Sequence, residues 1–229
     1  KNLIVFLHGD GSPNSPRPGI PKKSQIRFAK ELINDNNNVL LFARPGYFIR
    51  ERGSSEEDRY SSGPRNAIKS TVVNYDWKNF QILAPALQNL KKYYKPKKLI
   101  LIGHSGGAYQ GGTIHGKVPG LVDINILISC PCDWEIRKKL SNGKKWETKS
   151  QLKELKKNSP SFNYKDIDLK SLNILIVGKD DKNTAPGVSK YYYDLLKKKK
   201  LQVKLHIIDG GHGLRSMPTI GSIIKEYIN

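Results

Sequence analysis

An α/β fold with a mostly parallel central sheet, covered by helices on both faces, is predicted by three features of this 229-residue chain. Short apolar runs of strand length alternate with longer segments whose apolar residues recur at helical spacing. No internal repeat or low-complexity linker divides the chain. Its length suits one domain with a substantial core, so a single domain over residues 1–229 is expected.

The predicted elements alternate along the chain. Apolar runs are interpreted as strands at residues 3–7, 39–43, 99–102, 124–129, 174–177 and 203–208. Helices are predicted at residues 24–34, 77–94, 106–115, 149–156, 186–199 and 220–227. In the second helix one apolar stripe is expected to face the core, formed by Trp77, Phe80, Leu83, Leu87 and Leu90.

Residues 133–170 are longer and more polar than a simple connection requires. They are expected to form a small cap or insertion over the carboxyl edge of the sheet. Ligands bind at that edge in open parallel sheets, so this segment is expected to border a substrate.

The chain is strongly basic, with 40 lysine and arginine residues against 20 aspartate and glutamate residues and a formal net charge of +20. Such a charge can attract nucleic acid or other polyanions. The lysines occur in short runs at predicted helix ends and turns, where their charge complements the helix dipole and stays solvated. No specific nucleic-acid partner is therefore predicted. No apolar run approaches the ~20 residues of a membrane span, so no membrane-spanning segment is expected.

The two cysteines, Cys130 and Cys132, are separated by one proline. Metal sites usually need two or more spaced pairs of ligands, and a disulfide across one residue is strained. Two reduced thiols at a strand end are therefore expected. No phosphate-cradling glycine loop followed by Lys-Ser or Lys-Thr occurs, and neither a metal nor a cofactor is expected.

The chain begins at Lys1, and its only methionine is Met217. The sequence thus leaves the localisation open between the cytoplasm and, if a signal peptide has been removed upstream of Lys1, the periplasm or the exterior. No pattern indicates an oligomeric state.

A Gly-x-Ser-x-Gly motif occupies residues 103–107, where the chain reads Gly-His-Ser-Gly-Gly. It follows a predicted strand and precedes a predicted helix, which favours a strained strand-to-helix turn at Ser105. Such a turn holds the serine hydroxyl clear of the backbone, and a Cβ at the flanking positions would collide with neighbouring chain. Ser105 is therefore the candidate nucleophile; the alternative is an ordinary tight turn with an exposed serine.

Groups that a serine nucleophile needs follow the ends of other predicted strands. His212, in a Gly-Gly-His-Gly loop after the last strand, is the candidate base because a neutral imidazole can take the serine proton. Asp180 and Asp181 end another strand, and either carboxylate can hold the imidazole. A His-Gly-Asp-Gly loop follows the first strand, so the amides of Asp10 and Gly106 are the candidate oxyanion donors.

In their order along the chain (oxyanion loop, serine, acid, histidine) these motifs resemble the α/β-hydrolase family, over nearly the whole sequence. The chain also reads Arg-Pro-Gly-Tyr at residues 44–47, which is similar to the family's segment after its fourth strand. The resemblance implies an α/β-hydrolase fold. It also implies that Ser105 is the nucleophile, His212 the base, and the amides of Asp10 and Gly106 the oxyanion donors.

For the acid, the family usually has Gly-x-x-Asp, which residues 178–181 match. The resemblance therefore favours Asp181. Asp180 remains the fallback, because Pro186 comes one residue later than the family's proline after the acid often does. Asp133 is a third candidate, since some family members take the acid from the strand next along from the nucleophile.

Two departures from the family pattern stand out. The family's first two strands would lie upstream of Lys1. Residues 47–66 form a long, charged excursion where the family normally has a short segment. This excursion is interpreted either as a substrate-facing loop or as a solvated insertion.

Hydrolysis of a carboxylic ester of small or medium size, through an acyl-enzyme on Ser105, is the leading functional prediction. The resemblance also admits thioester and lactone cleavage. An exopeptidase or amidase of prolyl-oligopeptidase type is the alternative, because residues 181–184 resemble that branch's Asp-x-Asn-Thr stretch. Acidic residues of the long excursion would then anchor a free amino terminus: Glu51, Glu56, Glu57 and Asp58. A non-catalytic binding protein that kept the fold is a further alternative.

Overall fold

The computed structural model describes residues 1–10, 23–44, 77–141, 149–213 and 218–228. Its centre is a six-stranded sheet in the order β2-β1-β3-β4-β5-β6, in which every neighbouring pair is parallel. The strands are β1 (Asn2–Leu7), β2 (Asn37–Phe42), β3 (Leu99–His104), β4 (Ile124–Ile128), β5 (Leu172–Gly178) and β6 (Gln202–Ile208).

Helices alternate with these strands along the chain. They are α1 (Lys23–Leu32), α2 (Trp77–Tyr94), α3 (Gly106–Lys117), α4 (Trp134–Leu140), α5 (Lys149–Lys157), α6 (Pro160–Asn163), α7 (Pro186–Lys198) and α8 (Pro218–Ile228), with a 3-10 turn at Tyr164–Asp166. The predicted α/β class, with a parallel sheet and interspersed helices, is confirmed.

Both faces of the sheet are buried, because successive side chains of a strand point to opposite faces. On one face isoleucines of the central strands pack against α1 and α8, as Ile102 and Ile126 do against Phe28 and Ile224. On the other face leucines of β1 and β3 pack against α2 and α3. Burial on both sides explains why the strands read as nearly continuous apolar runs.

Each predicted strand and helix is present, with ends displaced by no more than two residues, and α2 has the predicted bounds. The α2 stripe is core, since Phe80, Leu83 and Leu87 are buried. Sequence periodicity missed α4 and α6, because helices of seven and four residues are too short to repeat an apolar face.

Within residues 133–170, helix α6 packs closely against α3. A Cβ at Gly112 of α3 would meet Pro160 at 2.8 Å, and one at Gly116 would meet the Asn163 carbonyl oxygen at 2.0 Å. Residues 142–148 lie outside the described part of the chain, and so does the excursion at 47–66. The cap and the single-domain assignment therefore stay predictions.

The expectation of two reduced thiols is wrong: Cys130 and Cys132 form a disulfide. Their Cα atoms are 5.1 Å apart, within the usual range for a disulfide, and both residues are buried between the sheet and α7. The spacing of the two cysteines in the sequence does not show whether they are bonded to each other.

None of the helices in the described ranges has the length and apolar character needed to cross a bilayer.

Candidate active site

Ser105 lies between β3 and α3 in a conformation that L-residues rarely adopt, with φ 52° and ψ −116°. Its amide donates to the Ile128 carbonyl at 2.8 Å, which ties the turn to the end of β4. Helix α3 starts directly against β1, and a Cβ at Gly107 would lie 2.1 Å from the Leu7 carbonyl oxygen. Gly107, two residues after the serine, is therefore required by a close approach of two backbones.

His212 follows β6 and reaches Ser105 across the carboxyl edge of the sheet, with Nε2 2.9 Å from Oγ. Its loop is held against the end of β5, where the Asp180 amide donates to the Gly210 carbonyl at 3.0 Å. A Cβ at Gly178 would lie 2.2 Å from that same Gly210 oxygen. The chain at the end of β5 and the histidine loop thus touch backbone to backbone.

The other ring nitrogen of His212 faces Asp181, with Nδ1 2.9 Å from Oδ2 and 3.1 Å from Oδ1. Asp181 Oδ1 also accepts from the amides of Asn183 and Thr184, each at 2.9 Å, and Oδ2 accepts from the Thr184 hydroxyl at 2.7 Å. Burial raises the pKa of Asp181, but the hydrogen bond and charge of His212 and the bonds from Thr184 outweigh it and lower the pKa to about 2.

The alternative acids lie elsewhere. Asp180 is exposed, and its backbone rather than its carboxylate binds the histidine loop. Asp133 is the N-cap of α4, where its carboxylate accepts from the Ile136 amide at 2.8 Å and from the Ser161 hydroxyl at 2.6 Å. Of the three candidate carboxylates, only that of Asp181 contacts His212.

The loop after β1, in which Asp10 was predicted to supply an amide, is held by Arg44. The buried guanidinium of Arg44 pairs with the Asp10 carboxylate, and the Arg44 amide donates to His8 Nε2 at 3.1 Å. Gly106, the other predicted donor, is the first residue of α3. Within the described ranges no group accepts from its N–H, as is usual in the first turn of a helix.

Sequence reasoning missed two residues beside His212. His104 is buried and donates Nε2–H to the His212 carbonyl at 2.9 Å, with the two rings 5.4 Å apart. The Thr184 hydroxyl lies 3.2 Å from His212 Nδ1. A histidine within the serine motif and a threonine three residues after the aspartate were visible in the sequence. Their contact with a loop 28 or more positions away was not.

A serine hydroxyl bonded to an imidazole, with a carboxylate on the far nitrogen, can pass its proton to the ring when it attacks an electrophile. The carboxylate stabilises the imidazolium that forms. No cluster of three or more potential metal ligands occurs in the portions of the chain that the structure describes.

The sequence matches the model of the prolyl oligopeptidase family over residues 26–226. The chain belongs to this family. No match to the chain is found among curated proteins.

Several solved structures share the fold of this prolyl oligopeptidase family member. Acylaminoacyl peptidase of Pyrococcus horikoshii matches 98% of this chain at 18% identity, with a TM-score of 0.69. The match covers only 36% of the peptidase, so the present chain spans about a third of its length.

Two esterases match over most of their own length. The Pyrococcus furiosus esterase Pf2001 covers all of this chain at 18% identity and a TM-score of 0.63, with 84% of the esterase matched. Est1E from Butyrivibrio proteoclasticus, solved with ferulic acid, covers 99% at 12% identity and a TM-score of 0.69, with 88% of Est1E matched. These likenesses establish an α/β-hydrolase fold.

Proposed function

We propose that this serine hydrolase cleaves a carboxylic ester of a small or medium-sized substrate through an acyl-enzyme on Ser105. The observation that carries the proposal is the unbroken chain of contacts from Ser105 Oγ through His212 to Asp181. In this proposal Ser105 is the nucleophile, His212 the general base and acid, and Asp181 the residue that orients the ring.

The reaction proceeds in two halves. Ser105 Oγ attacks the ester carbonyl while its proton moves to His212 Nε2, and the amides of Gly106 and Asp10 receive the negative charge on the carbonyl oxygen. His212 then returns the proton to the departing alcohol. Water, activated by the same imidazole, attacks the acyl-enzyme and releases the acid.

The solved structures that share this fold include two esterases, Pf2001 and Est1E, and Est1E was solved with ferulic acid. These neighbours support an ester substrate.

Peptide or amide cleavage is the second candidate, and family membership itself favours it. The Asp-Lys-Asn-Thr stretch at 181–184 is the part of the acid loop that resembles the peptidase branch. The acidic residues that would anchor an amino terminus fall at 51–58, outside the described part of the chain.

The deciding experiment combines fluorophosphonate labelling with hydrolysis of para-nitrophenyl esters of increasing acyl length and of aminoacyl anilides. We expect labelling and ester turnover in the wild type and in S222A, a variant of an exposed serine on α8, and neither in S105A. Anilide turnover that rivals ester turnover would replace the esterase by the peptidase. An unlabelled wild type would favour a binding protein without catalytic activity.

A further inference from the structure

Thr184 is a buried residue whose hydroxyl sits at the junction of three groups. Its Oγ1 lies 2.7 Å from Asp181 Oδ2, 3.1 Å from the Ser129 carbonyl oxygen and 3.2 Å from His212 Nδ1. Only 1% of the residue is exposed, so water does not compete for these contacts. Thr184 touches neither Ser105 nor the predicted oxyanion donors, and its effect must pass through the groups it contacts.

The hydroxyl has one hydrogen to donate. The Ser129 carbonyl and the Asp181 carboxylate are both acceptors, and the carboxylate oxygen is the nearer. His212 Nδ1–H donates to the same Oδ2, and Nδ1 lies 3.2 Å from Oγ1, so the two donors stand side by side on one oxygen. Thr184 and His212 therefore compete for one carboxylate oxygen.

Ser129 supplies the other side of this arrangement. It follows β4 with φ 50°, a conformation that is costly for a serine, and it is completely buried. Its amide donates to the Ile176 carbonyl at 2.8 Å, which fixes the strained turn to β5. Its carbonyl oxygen is thereby held 3.1 Å from Thr184 Oγ1, as the competing acceptor for the one hydroxyl hydrogen.

We propose that Thr184 is a positioning residue that acts through Asp181: by donating to Oδ2 it limits how strongly that oxygen holds the proton of His212. This inference rests on the proposed role of the Ser105–His212–Asp181 chain. Orientation of the carboxylate does not depend on the hydroxyl, because two backbone amides hold Oδ1 independently. What the hydroxyl controls is the electron density left on Oδ2 for His212.

The consequence is seen by comparison with a variant that lacks the hydroxyl. Without the hydroxyl, Oδ2 would bind the imidazolium more strongly, so the protonated and inactive form of the base would persist to higher pH. Among the described residues, the ionisable groups near the site include His104, whose ring lies 5.4 Å from that of His212, and Arg137, which binds Asn183. They also include the exposed Asp180 and the ion pair between Lys179 and Asp209, at the histidine loop. None of these groups is altered by a change at Thr184.

The test is the pH dependence of the rate at which a fluorophosphonate labels Ser105, together with kcat and KM for para-nitrophenyl butyrate. Valine replaces the hydroxyl of threonine by a methyl group of similar shape, and serine keeps the hydroxyl. In T184V we expect the acid limb of the labelling rate to move about half a pH unit higher. The plateau rate and KM should change less than about threefold, and T184S should retain the wild-type profile.

A matched control is T113V, since Thr113 is also buried and its hydroxyl bonds two backbone carbonyls within α3 and after α5. This variant should lose stability without moving the acid limb. The inference would be overturned if the acid limb of the labelling rate in T184V stayed at the wild-type pH or moved to lower pH. It would also be overturned if T184S showed the same pH profile as T184V. If wild-type Ser105 is labelled but the limb does not move, only this inference fails; an unlabelled wild type overturns the proposed function as well.

Discussion

Four donors converge on the carboxylate of Asp181, while the neighbouring Asp180 is exposed to solvent. Because burial alone would raise the pKa of Asp181, its lowering to about 2 shows that the donors outweigh desolvation. Asp181 is therefore ionised at pH values well above 2. At the scale of single residues, this separates two adjacent carboxylates of the same chemical type.

Replacement of each aspartate by asparagine tests that separation. D181N removes the charge that stabilises the imidazolium and favours the wrong tautomer of His212, so we expect kcat to fall by about 10⁴-fold. D180N should stay within about twofold of the wild type. Steady-state turnover of a nitrophenyl ester measures both, and a D180N loss as large as that of D181N would contradict the assignment.

The start of α3 illustrates a constraint at the scale of an element. Gly107 lies where the helix meets β1, and a Cβ there would fall 2.1 Å from the Leu7 carbonyl oxygen and 2.6 Å from that of His8. Neither atom can rotate away, since both belong to backbone. One turn further along, a Cβ at Gly111 would make ordinary contact at 3.4 Å with the Leu101 side chain.

Gly107 and Gly111 should therefore respond oppositely to alanine. G107A is expected to lower the free energy of unfolding by about 3 kcal/mol and to slow labelling of Ser105, because the helix must withdraw from β1. G111A should raise stability by about 0.5–1 kcal/mol through better helix propensity, with labelling unchanged. Urea unfolding and labelling rates provide the measurements; equal stability of the two variants would refute the proposed close approach.

On the scale of the whole molecule, stability in acid depends on a group far from the proposed catalytic residues. His115 of α3 is completely buried and bonds the Ser171 hydroxyl at 3.1 Å. Burial lowers its pKa to about 4, against the opposing charges of Asp168 and Asp123. The unfolded chain, in which this pKa returns to about 6.5, then binds a proton that the folded protein does not.

Folding stability should accordingly be unaffected by His115 above pH 6.5 and fall as the pH drops from there to about 4. The contribution over this window amounts to about 3 kcal/mol. Glutamine can bond Ser171 but does not titrate, so H115Q should lose less stability than the wild type between these limits. Chemical denaturation at pH 7, 5.5 and 4 tests the prediction. Equal losses of stability in the wild type and in H115Q would contradict it.

The amino-acid sequence by itself determined the α/β class, the strands, and the serine, histidine and aspartate loops. Strands of a doubly covered sheet must be apolar on both faces, so each is visible locally. Gly107 and Gly210 are visible locally too, because a close backbone approach at Gly107 and a φ of 119° at Gly210 disfavour larger residues there.

Only the tertiary structure shows that the carboxylate of Asp181 contacts His212, that Cys130 is bonded to Cys132, and that Thr184 lies beside His212. Each of these outcomes depends on distances of a few ångströms. The decisive ones join residues from different strands, 28 to 107 positions apart. The order and register of the parallel strands set those distances, and no local pattern of residues encodes that geometry.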